Sequence, residues 1–206
     1  MQRFARAVPR CLRCAIQVPE GVTQCGECVV NPPPFEHSVT AVDYAYPWDG
    51  LITRFKFHGA LDLAPALAQC LAEAVPQGAA PPPSLLLPVP LSEARLRERG
   101  YNQAWELARR LGRLLQCPAE ARLLLRVRDT PHQLAFPPEQ RAGNVRAAFA
   151  VEPRRAAELR GRSVALVDDV MTTGATAAEA ARMLLQAGAA QVQIWSVART
   201  PRPGEP

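Results

Sequence analysis

The sequence has 206 residues, of which 48% are hydrophobic and 21% charged, and its formal net charge at pH 7 is +5. A chain of this length can bury one α/β domain and a small appendage, so it does not need disulfides to fold. It contains no apolar run of about 18 to 20 residues, the length of a membrane span, and no signal-peptide segment follows its N-terminal arginines. We therefore expect a soluble cytoplasmic protein without a membrane span.

The positive charge rests on 23 arginines and a single lysine, Lys56. Codon bias in a GC-rich genome explains such a ratio, so the abundance of arginine by itself says little about nucleic acid. A basic chain attracts nucleotides, pyrophosphate or DNA, and the charge total does not separate these ligands.

Two Cys-x-x-Cys pairs near the N-terminus have the spacing of a zinc ribbon, formed by Cys11, Cys14, Cys25 and Cys28. Four thiolates close a tetrahedral site and leave no open position for chemistry. Two disulfides fit poorly with a chain that lacks a secretion signal. The pattern predicts structural Zn²⁺, because a ribbon of roughly 30 residues cannot bury a core of its own.

Whether the ribbon also contacts nucleic acid is open at this stage. Its arginines could contact DNA phosphates, although a solvated basic arm is the commoner meaning of such a cluster; they are Arg3, Arg6, Arg10 and Arg13. The run Asn-Pro-Pro-Pro (31–34) cannot continue a strand or helix and forms a semi-rigid spacer. We predict a zinc ribbon with its linker over 1–34, a larger domain over 35–200 and a disordered tail over 201–206.

The larger domain reads as alternating strands and helices. Strands are predicted over 39–46, 85–91, 164–167 and 191–198, and helices over 49–57, 61–75, 104–115 and from Ala175 to residue 187, with a loop over 76–84. In Arg-Phe-Lys-Phe-His-Gly (54–59), Lys56 is either a compact point charge retained for a site or a lysine left by chance on a surface helix. The alternation predicts a parallel sheet flanked by helices.

A charged segment follows the second predicted strand, over 92–103. We interpret it as a polar turn in which Arg95, Arg97 and Arg99 precede Gly100. The planar guanidinium suits diphosphate oxygens. The alternative is that these arginines alternate with Leu96 and Glu98 on an exposed turn of helix.

The most informative stretch runs over 164–176, where four apolar residues lead into Asp168 and Asp169 and then into a loop rich in hydroxyls and glycine. A fully apolar run predicts a buried parallel strand, whose C-terminal end is where open α/β sheets bind ligands. Gly174 permits a tight turn, and the helix that begins at Ala175 offers unpaired N–H groups to a phosphate. Carboxylates beside a phosphate loop suit sugar hydroxyls or Mg²⁺, so the pattern predicts a ribose phosphate.

This stretch resembles the motif with which type I phosphoribosyltransferases bind phosphoribosyl pyrophosphate (PRPP): an apolar strand, two acidic residues and Thr-Thr-Gly-x-Thr. The resemblance implies that Asp168 and Asp169 hold the ribose hydroxyls and that the following loop holds the 5′-phosphate. The remaining motifs, in the same order, are similar to those of the ComF family: the four cysteines, Pro-Val-Pro-Leu, Arg-Gly-Tyr-Asn-Gln and Thr-Pro-His-Gln. Two departures are Ala15 in place of a usual glycine and Tyr101 in place of a common phenylalanine.

The resemblance also implies a mobile loop in the segment 126–149 that closes over PRPP and excludes water. Candidates there are Arg128, Gln133, Arg141 and Asn144. With the residues above, we predict catalytic roles for Asp168, Asp169, Arg99, Lys56, Arg128 and Arg141. We predict binding of Mg²⁺ and PRPP, or of ribose 5-phosphate, by Asp168, Asp169, Met171, Thr172, Thr173, Gly174, Ala175, Thr176, Arg97 and Gly100.

Two functions follow from the resemblance. The first is a phosphoribosyltransferase with an unassigned acceptor, associated with natural competence and the uptake or processing of transforming DNA. The second is a non-catalytic DNA-binding competence factor that uses the PRPP pocket to sense a nucleotide, with single-stranded DNA and the competence machinery as partners. The sequence assigns neither an acceptor nor an oligomeric state.

Overall fold

The computed structural model describes residues 8–75, 82–128 and 148–202. The strands of this part of the chain are β1 (His37–Asp43), β2 (Leu85–Pro88), β3 (Leu124–Arg126), β4 (Phe149–Val151), β5 (Ser163–Met171) and β6 (Gln191–Arg199). The α-helices are α1 (Gly26–Val30), α2 (Trp48–Phe57), α3 (Ala64–Ala74), α4 (Glu93–Arg99), α5 (Gln103–Leu114) and α6 (Ala175–Gln186). Two 3₁₀ helices occupy Leu61–Leu63 and Pro153–Leu159.

Four strands form one parallel sheet in the order β1-β6-β5-β2. The short strands β3 and β4 form a separate antiparallel pair. Because all four strands of the main sheet are parallel, their C-terminal ends lie at the same edge.

Side chains of β5 alternate between two apolar layers. Val164 and Leu166 pack with α6 on one face, and Ala165 and Val167 pack with α2, α3 and α5 on the other. Burial on both faces is why this strand reads as a continuous apolar run. The fold is therefore the predicted one, a parallel sheet flanked by helices.

Three local predictions need correction. The strand β5 does not end at Val167 but runs on through both carboxylates to Met171, because it keeps pairing with β6 as far as Arg199. The segment predicted as a polar turn over 92–103 contains the helix α4, which Ser92 caps by accepting from Arg95 N–H and which Gly100 ends at a φ of +81°. Strand β2 ends at Pro88 rather than at Leu91, although Val89 N–H still donates to Val167 O of β5 at 2.9 Å.

The four cysteines sit in a small N-terminal module. A single antiparallel bridge joins Arg10 to Gln17, and α1 follows Cys25. Phe35, directly after the proline run, is buried in the core of the larger domain. The boundary at residue 34 stays a prediction, and most of the predicted tail, 203–206, lies outside the described residues. Within the described ranges, no helix is both long enough and apolar enough to cross a membrane.

Candidate functional site

A cavity of about 280 Å³ opens at the C-terminal edge of the sheet. Three of the four strand exits contribute to it: Tyr44 follows β1, Val89 to Leu91 follow β2, and Thr172 follows β5. This is the edge at which open α/β sheets bind ligands.

Asp168 and Asp169 line this cavity but have different surroundings. Asp169 is 1% exposed, and its carboxylate pairs with Lys56, whose Nζ lies 3.3 Å from Oδ1 and 3.0 Å from Oδ2. Asp168 is less buried and accepts a 2.9 Å hydrogen bond from Asp169 N–H. Lys56, identified in the sequence as the one lysine of the chain, therefore belongs to the site.

The electrostatics separate the two carboxylates further. Burial, reinforced by the charge of Asp169, raises the pKa of Asp168 well above its usual range. Burial acts to raise the pKa of Asp169, but the charge of Lys56 and the hydrogen bonds from Asp168, Lys56 and the backbone together outweigh it, and the pKa is lowered. For Lys56, burial alone would lower the pKa, and the charges of Asp169 and Asp168 raise it instead. Asp169 is thus an ion-pair partner, whereas Asp168 is a desolvated carboxylate to which a cation or hydroxyl donors would bind favourably.

The loop after β5 presents backbone groups to the cavity. Gly174 has a φ of +80° and begins α6 as its N-cap, a conformation that residues with a side chain rarely adopt. Thr173 Oγ1 accepts from Ala175 N–H at 3.3 Å. The first turn of α6 leaves N–H groups without intrahelical partners at the positive end of the helix dipole. Met171, Thr172, Gly174, Ala175 and Thr176 line the cavity, so the loop can hold an anion there.

A second part of the lining, here called the cationic wall, comes from three separate elements. Its basic side chains are Lys56 on α2, Arg95 and Arg99 on α4, and Arg126 on β3. The Arg99 guanidinium lies 5.1 Å from the centre of the Phe57 ring and donates to Gln103. Arginines on such a wall suit diphosphate oxygens.

Some predicted residues are not brought to the cavity. Arg97 points away on α4, is 78% exposed and pairs with Glu93 at 2.9 Å, because residues two apart on a helix face opposite sides. Gly100 ends α4, and neither it nor Arg97 lines the cavity. Arg128 is exposed and also outside the lining. Gln133, Arg141 and Asn144, with the rest of the predicted mobile loop from 129 to 147, lie outside the described residues.

Sequence reasoning missed other lining residues: Tyr44, Phe57, Gln103 and Arg126. Arg126 had the weakest signal, because it is one of many arginines and reaches the cavity only through the pairing of β3 with β4. Tyr44 could have been found, since it follows the first strand at the edge where the acidic pair lies.

The Tyr-Asn-Gln run after Gly100 holds the cationic wall in place. The Tyr101 hydroxyl donates to Phe55 O on α2. Asn102 caps α5 by accepting from Ala104 N–H and Trp105 N–H, and its amide donates to Val89 O at 3.1 Å. Gln103 accepts from Arg99. These three side chains fix the start of α5 against α2 and the exit of β2.

A second cluster of potential ligand atoms lies in the N-terminal module. The sulfur atoms of its four cysteines all lie within 4.8 Å of one another. Burial acts to raise the pKa of Cys11, but backbone hydrogen bonds outweigh it and lower the pKa to about 7. Ala15 follows the first pair at a φ of +55°, which explains why a glycine is usual there. This donor set can hold one metal ion.

Comparisons with known proteins agree with this arrangement. A family model described as a phosphoribosyl transferase domain matches residues 98–206. DNA utilization protein YhgH of Shigella flexneri is 36% identical over 194 residues, or 92% of this chain and 84% of the relative. Competence protein F of Haemophilus influenzae is 33% identical over 202 residues, or 96% of this chain and 88% of the relative.

Among solved structures, the allosteric regulatory enzyme of purine biosynthesis aligns with 70% of this chain and 30% of its own, at 19% identity and a TM-score of 0.44. The family is set by the sequence matches, which extend over most of this chain and of its relatives. The chain belongs to the competence-associated ComF family and carries a phosphoribosyl transferase domain.

Proposed function

We propose that the cavity binds PRPP with Mg²⁺ and that the protein is a phosphoribosyltransferase acting in natural competence. One observation carries the proposal: a desolvated carboxylate, a phosphate-type loop and a cationic wall line the same cavity of about 280 Å³. PRPP carries the three matching groups, which are ribose hydroxyls, a 5′-phosphate and a pyrophosphate.

The assignment of each group follows the chemistry of each wall. The 5′-phosphate meets the loop from Thr172 to Thr176, where N–H and hydroxyl donors converge. The ribose hydroxyls donate to Asp168, since Asp169 is already paired with Lys56. The pyrophosphate extends toward Arg95, Arg99 and Arg126.

Mg²⁺ suits this site only as part of a metal–PRPP complex. Magnesium prefers oxygen ligands and commonly combines one or two carboxylates with substrate phosphates. Of the two carboxylates, Asp168 is the one without a cationic partner within the described residues. The ion would neutralise charge on the pyrophosphate as that group leaves.

The protein's own groups then account for transfer. Cleavage of the bond between ribose C1 and pyrophosphate develops positive charge on the ribose, which the carboxylate of Asp168 stabilises electrostatically. The arginines stabilise negative charge on the departing pyrophosphate. Lys56 neutralises the buried Asp169, so Asp168 is the carboxylate that supplies negative charge under the ribose.

Titration calorimetry with PRPP and Mg²⁺ tests binding. Wild-type protein should bind PRPP, and Asp168→Asn should weaken it by about 100-fold because a charged hydrogen-bond acceptor is lost. Asp62→Asn, an exposed aspartate on the 3₁₀ helix that precedes α3, is the matched control and should bind like wild type. The absence of PRPP binding by wild-type protein would refute the proposal.

A separate assay tests transfer. Pyrophosphate release from PRPP is followed in the presence of a panel of nucleobases and amines, because the acceptor has not been assigned. Release that depends on one acceptor class supports the enzyme. Binding of PRPP without release across the whole panel would instead favour a nucleotide sensor.

The second candidate is a non-catalytic DNA-binding competence factor. It is favoured by the names of the relatives, which refer to DNA utilization and competence. Two ribbon arginines proposed to contact DNA are already engaged: Arg10 pairs with Asp43, and Arg13 donates to Pro33 O and Phe35 O. Arg3 and Arg6 lie outside the described residues. Binding to single-stranded DNA that weakens steeply with salt, and is lost in Cys14→Ser, would support this candidate; binding insensitive to salt would contradict it.

For the N-terminal module we propose structural Zn²⁺ bound by the four cysteines. Soft thiolates in a closed set of four favour zinc over hard cations. Elemental analysis should find about one zinc per chain, and Cys11→Ser should reduce it. Full zinc content in that variant would contradict the assignment.

A further inference from the structure

The last residue of β6 connects the two halves of the molecule. Arg199 pairs in the sheet with Met171 at the end of β5 and with Asp43 at the end of β1. It is 8% exposed, although it carries a permanent charge. A buried guanidinium is tolerated only when it is extensively hydrogen-bonded, so its partners identify what it holds.

All the acceptors recorded for Arg199 are backbone carbonyls. Its Nε donates to Cys14 O at 2.8 Å. Its Nη1 donates to Met171 O at 3.1 Å and Thr200 O at 2.8 Å, and also to Thr172 O. One planar side chain thus joins the backbone of a metal-ligating cysteine to the first residue of the phosphate loop.

A second contact between the module and the loop runs through Phe35. Arg13 of the module donates to Phe35 O at 3.3 Å. The Phe35 ring is 1% exposed, and its Cζ lies 3.9 Å from the position that a Cβ on Gly174 would occupy. Neither Arg199 nor Phe35 lines the cavity of the candidate site, so both connections reach the loop from outside that cavity.

The chain neighbours of Cys14 are anchored to the larger domain, since Ser38 Oγ donates to Arg13 O and Ala15 packs in that domain's core. The Cys14 side chain itself is only partly buried, in a small module. The module's buried apolar cluster consists of three of the cysteines and Ile16. A module of this size depends on metal binding for its folding energy. Loss of the metal would release the carbonyl of Cys14, and Arg199 would lose its acceptor on that side. A zinc ion with four thiolates is also net negative, which favours a nearby buried guanidinium.

We propose that Arg199 is a positioning residue that couples the four-cysteine module to the phosphate loop, so that metal binding in the module orders residues 172–176. The structural coupling is independent of the ligand. Its consequence, weaker binding of the 5′-phosphate when the metal is lost, rests on the proposed PRPP site.

Hydrogen–deuterium exchange on the full-length protein tests the coupling. In wild-type protein, removing the metal with a chelator under reducing conditions should accelerate loop exchange about tenfold or more, while residues 164–167 of β5 stay protected. Loop exchange is measured at the two amides that donate to the loop's backbone and to the residue before it, Ala178 N–H to Gly174 O and Thr200 N–H to Met171 O. In Arg199→Lys, which keeps the charge but loses the planar fork, the loop should exchange fast even with metal bound. Metal removal should then add less than about twofold to that rate.

The matched control is Arg10→Met. Arg10 also ties the module to the larger domain, through Asp43 at 2.9 Å, but has no contact with the loop among its recorded bonds. With metal bound, loop exchange in this variant should equal wild type. The coupling is refuted if Arg199→Lys and Arg10→Met give equal loop exchange.

Exchange measured in wild-type protein alone also tests the coupling, independently of the variants. Equal loop exchange with and without metal, with β5 protected in both states, also refutes the coupling, whether or not Arg199→Lys folds. PRPP titration separates this inference from the proposed function. If wild-type protein does not bind PRPP but the loop still responds to metal, the proposed function fails and the coupling stands.

Discussion

The two walls of the cavity at the C-terminal edge of the sheet are built in opposite ways. One wall comes from a single stretch of sequence, Asp168 to Ala177, of which every residue except Thr173 lines the cavity. It begins in the last residues of β5 and turns at Gly174, the N-cap of α6. The cationic wall is assembled from side chains on α2, α4 and β3. Ligand affinity at the contiguous wall should depend on the backbone dihedral angles φ and ψ. Affinity at the assembled wall should depend on single side chains.

The largest expected effect concerns the ion pair under the cavity. In Lys56→Met the Asp169 carboxylate would be buried without its cation, and the free energy of unfolding should fall by about 3 kcal/mol at neutral pH. In wild type the pKa of Asp169 is lowered, so its contribution to stability is present above its unfolded pKa and lost as pH falls through the lowered value. In Lys56→Met its pKa should rise, and stability should fall as pH increases.

Urea denaturation between about pH 4 and 7 measures the fall in the variant, because over this range the contribution of Asp169 in wild type should stay constant. Arg54→Met, an exposed position on the same helix, is the control and should change stability by less than about 0.5 kcal/mol. If the free energy of unfolding falls no further in Lys56→Met than in this control, the ion pair between Lys56 and Asp169 does not stabilise the fold.

Gly174→Ala tests the contiguous wall. A side chain at a φ of +80° is strained by roughly 1 to 2 kcal/mol, and the loop should shift, weakening PRPP binding about 30-fold. Gly161→Ala places the same change at a φ of +68°, in open space and outside the cavity lining. Both variants should lose similar stability, and only Gly174→Ala should lose affinity in calorimetry.

Arg99→Ala tests the assembled wall. Loss of a charged donor should weaken PRPP binding about 10-fold and should leave ribose 5-phosphate binding within about twofold, because only PRPP carries the pyrophosphate. Arg97→Ala, two residues away on the same helix, removes an exposed arginine that pairs with Glu93. Equal losses in the two variants would contradict the assignment of α4 residues to the cavity.

The smallest effect is a gain in stability. Burial and the charge of Asp169 raise the pKa of Asp168, so its ionisation costs stability as pH rises from the unfolded pKa to the raised one. In Asp168→Asn the amide oxygen can still accept from Asp169 N–H, and the free energy of unfolding should increase by about 1 kcal/mol at pH 7. The gain should vanish below about pH 4, because the carboxyl is then protonated in both the folded and the unfolded wild-type chain. A loss of stability at pH 7 would contradict this account.

The contrast between the walls also explains what could be predicted from the sequence. The strand, acidic pair and loop were identified because their chemistry depends on residues that are neighbours in the chain. Arg126 and Tyr44 were missed because their position depends on how distant strands come together. Arg97 was assigned to the site because a turn was predicted where Ser92 and Gly100 in fact bound a helix, and the helix turns Arg97 away.

The four-cysteine module shows the same limit. The spacing of its cysteines predicted a ligand cluster, and the departure at Ala15 coincides with a left-handed backbone at that residue. Its contact with the phosphate loop could not be predicted, since Arg199 was one arginine among 23 and lies 185 residues from Cys14. Residues this far apart in the sequence come into contact only through the folded arrangement of the strands, which the sequence pattern does not specify.

Competition calorimetry of wild-type protein in Mg²⁺ tests the central claim most directly. PRPP should bind more tightly than either ribose 5-phosphate or pyrophosphate, and each fragment should displace it, because each fills one wall of the same cavity. Binding of pyrophosphate that leaves the affinity for ribose 5-phosphate and PRPP unchanged would place the cationic wall outside the site and contradict the account.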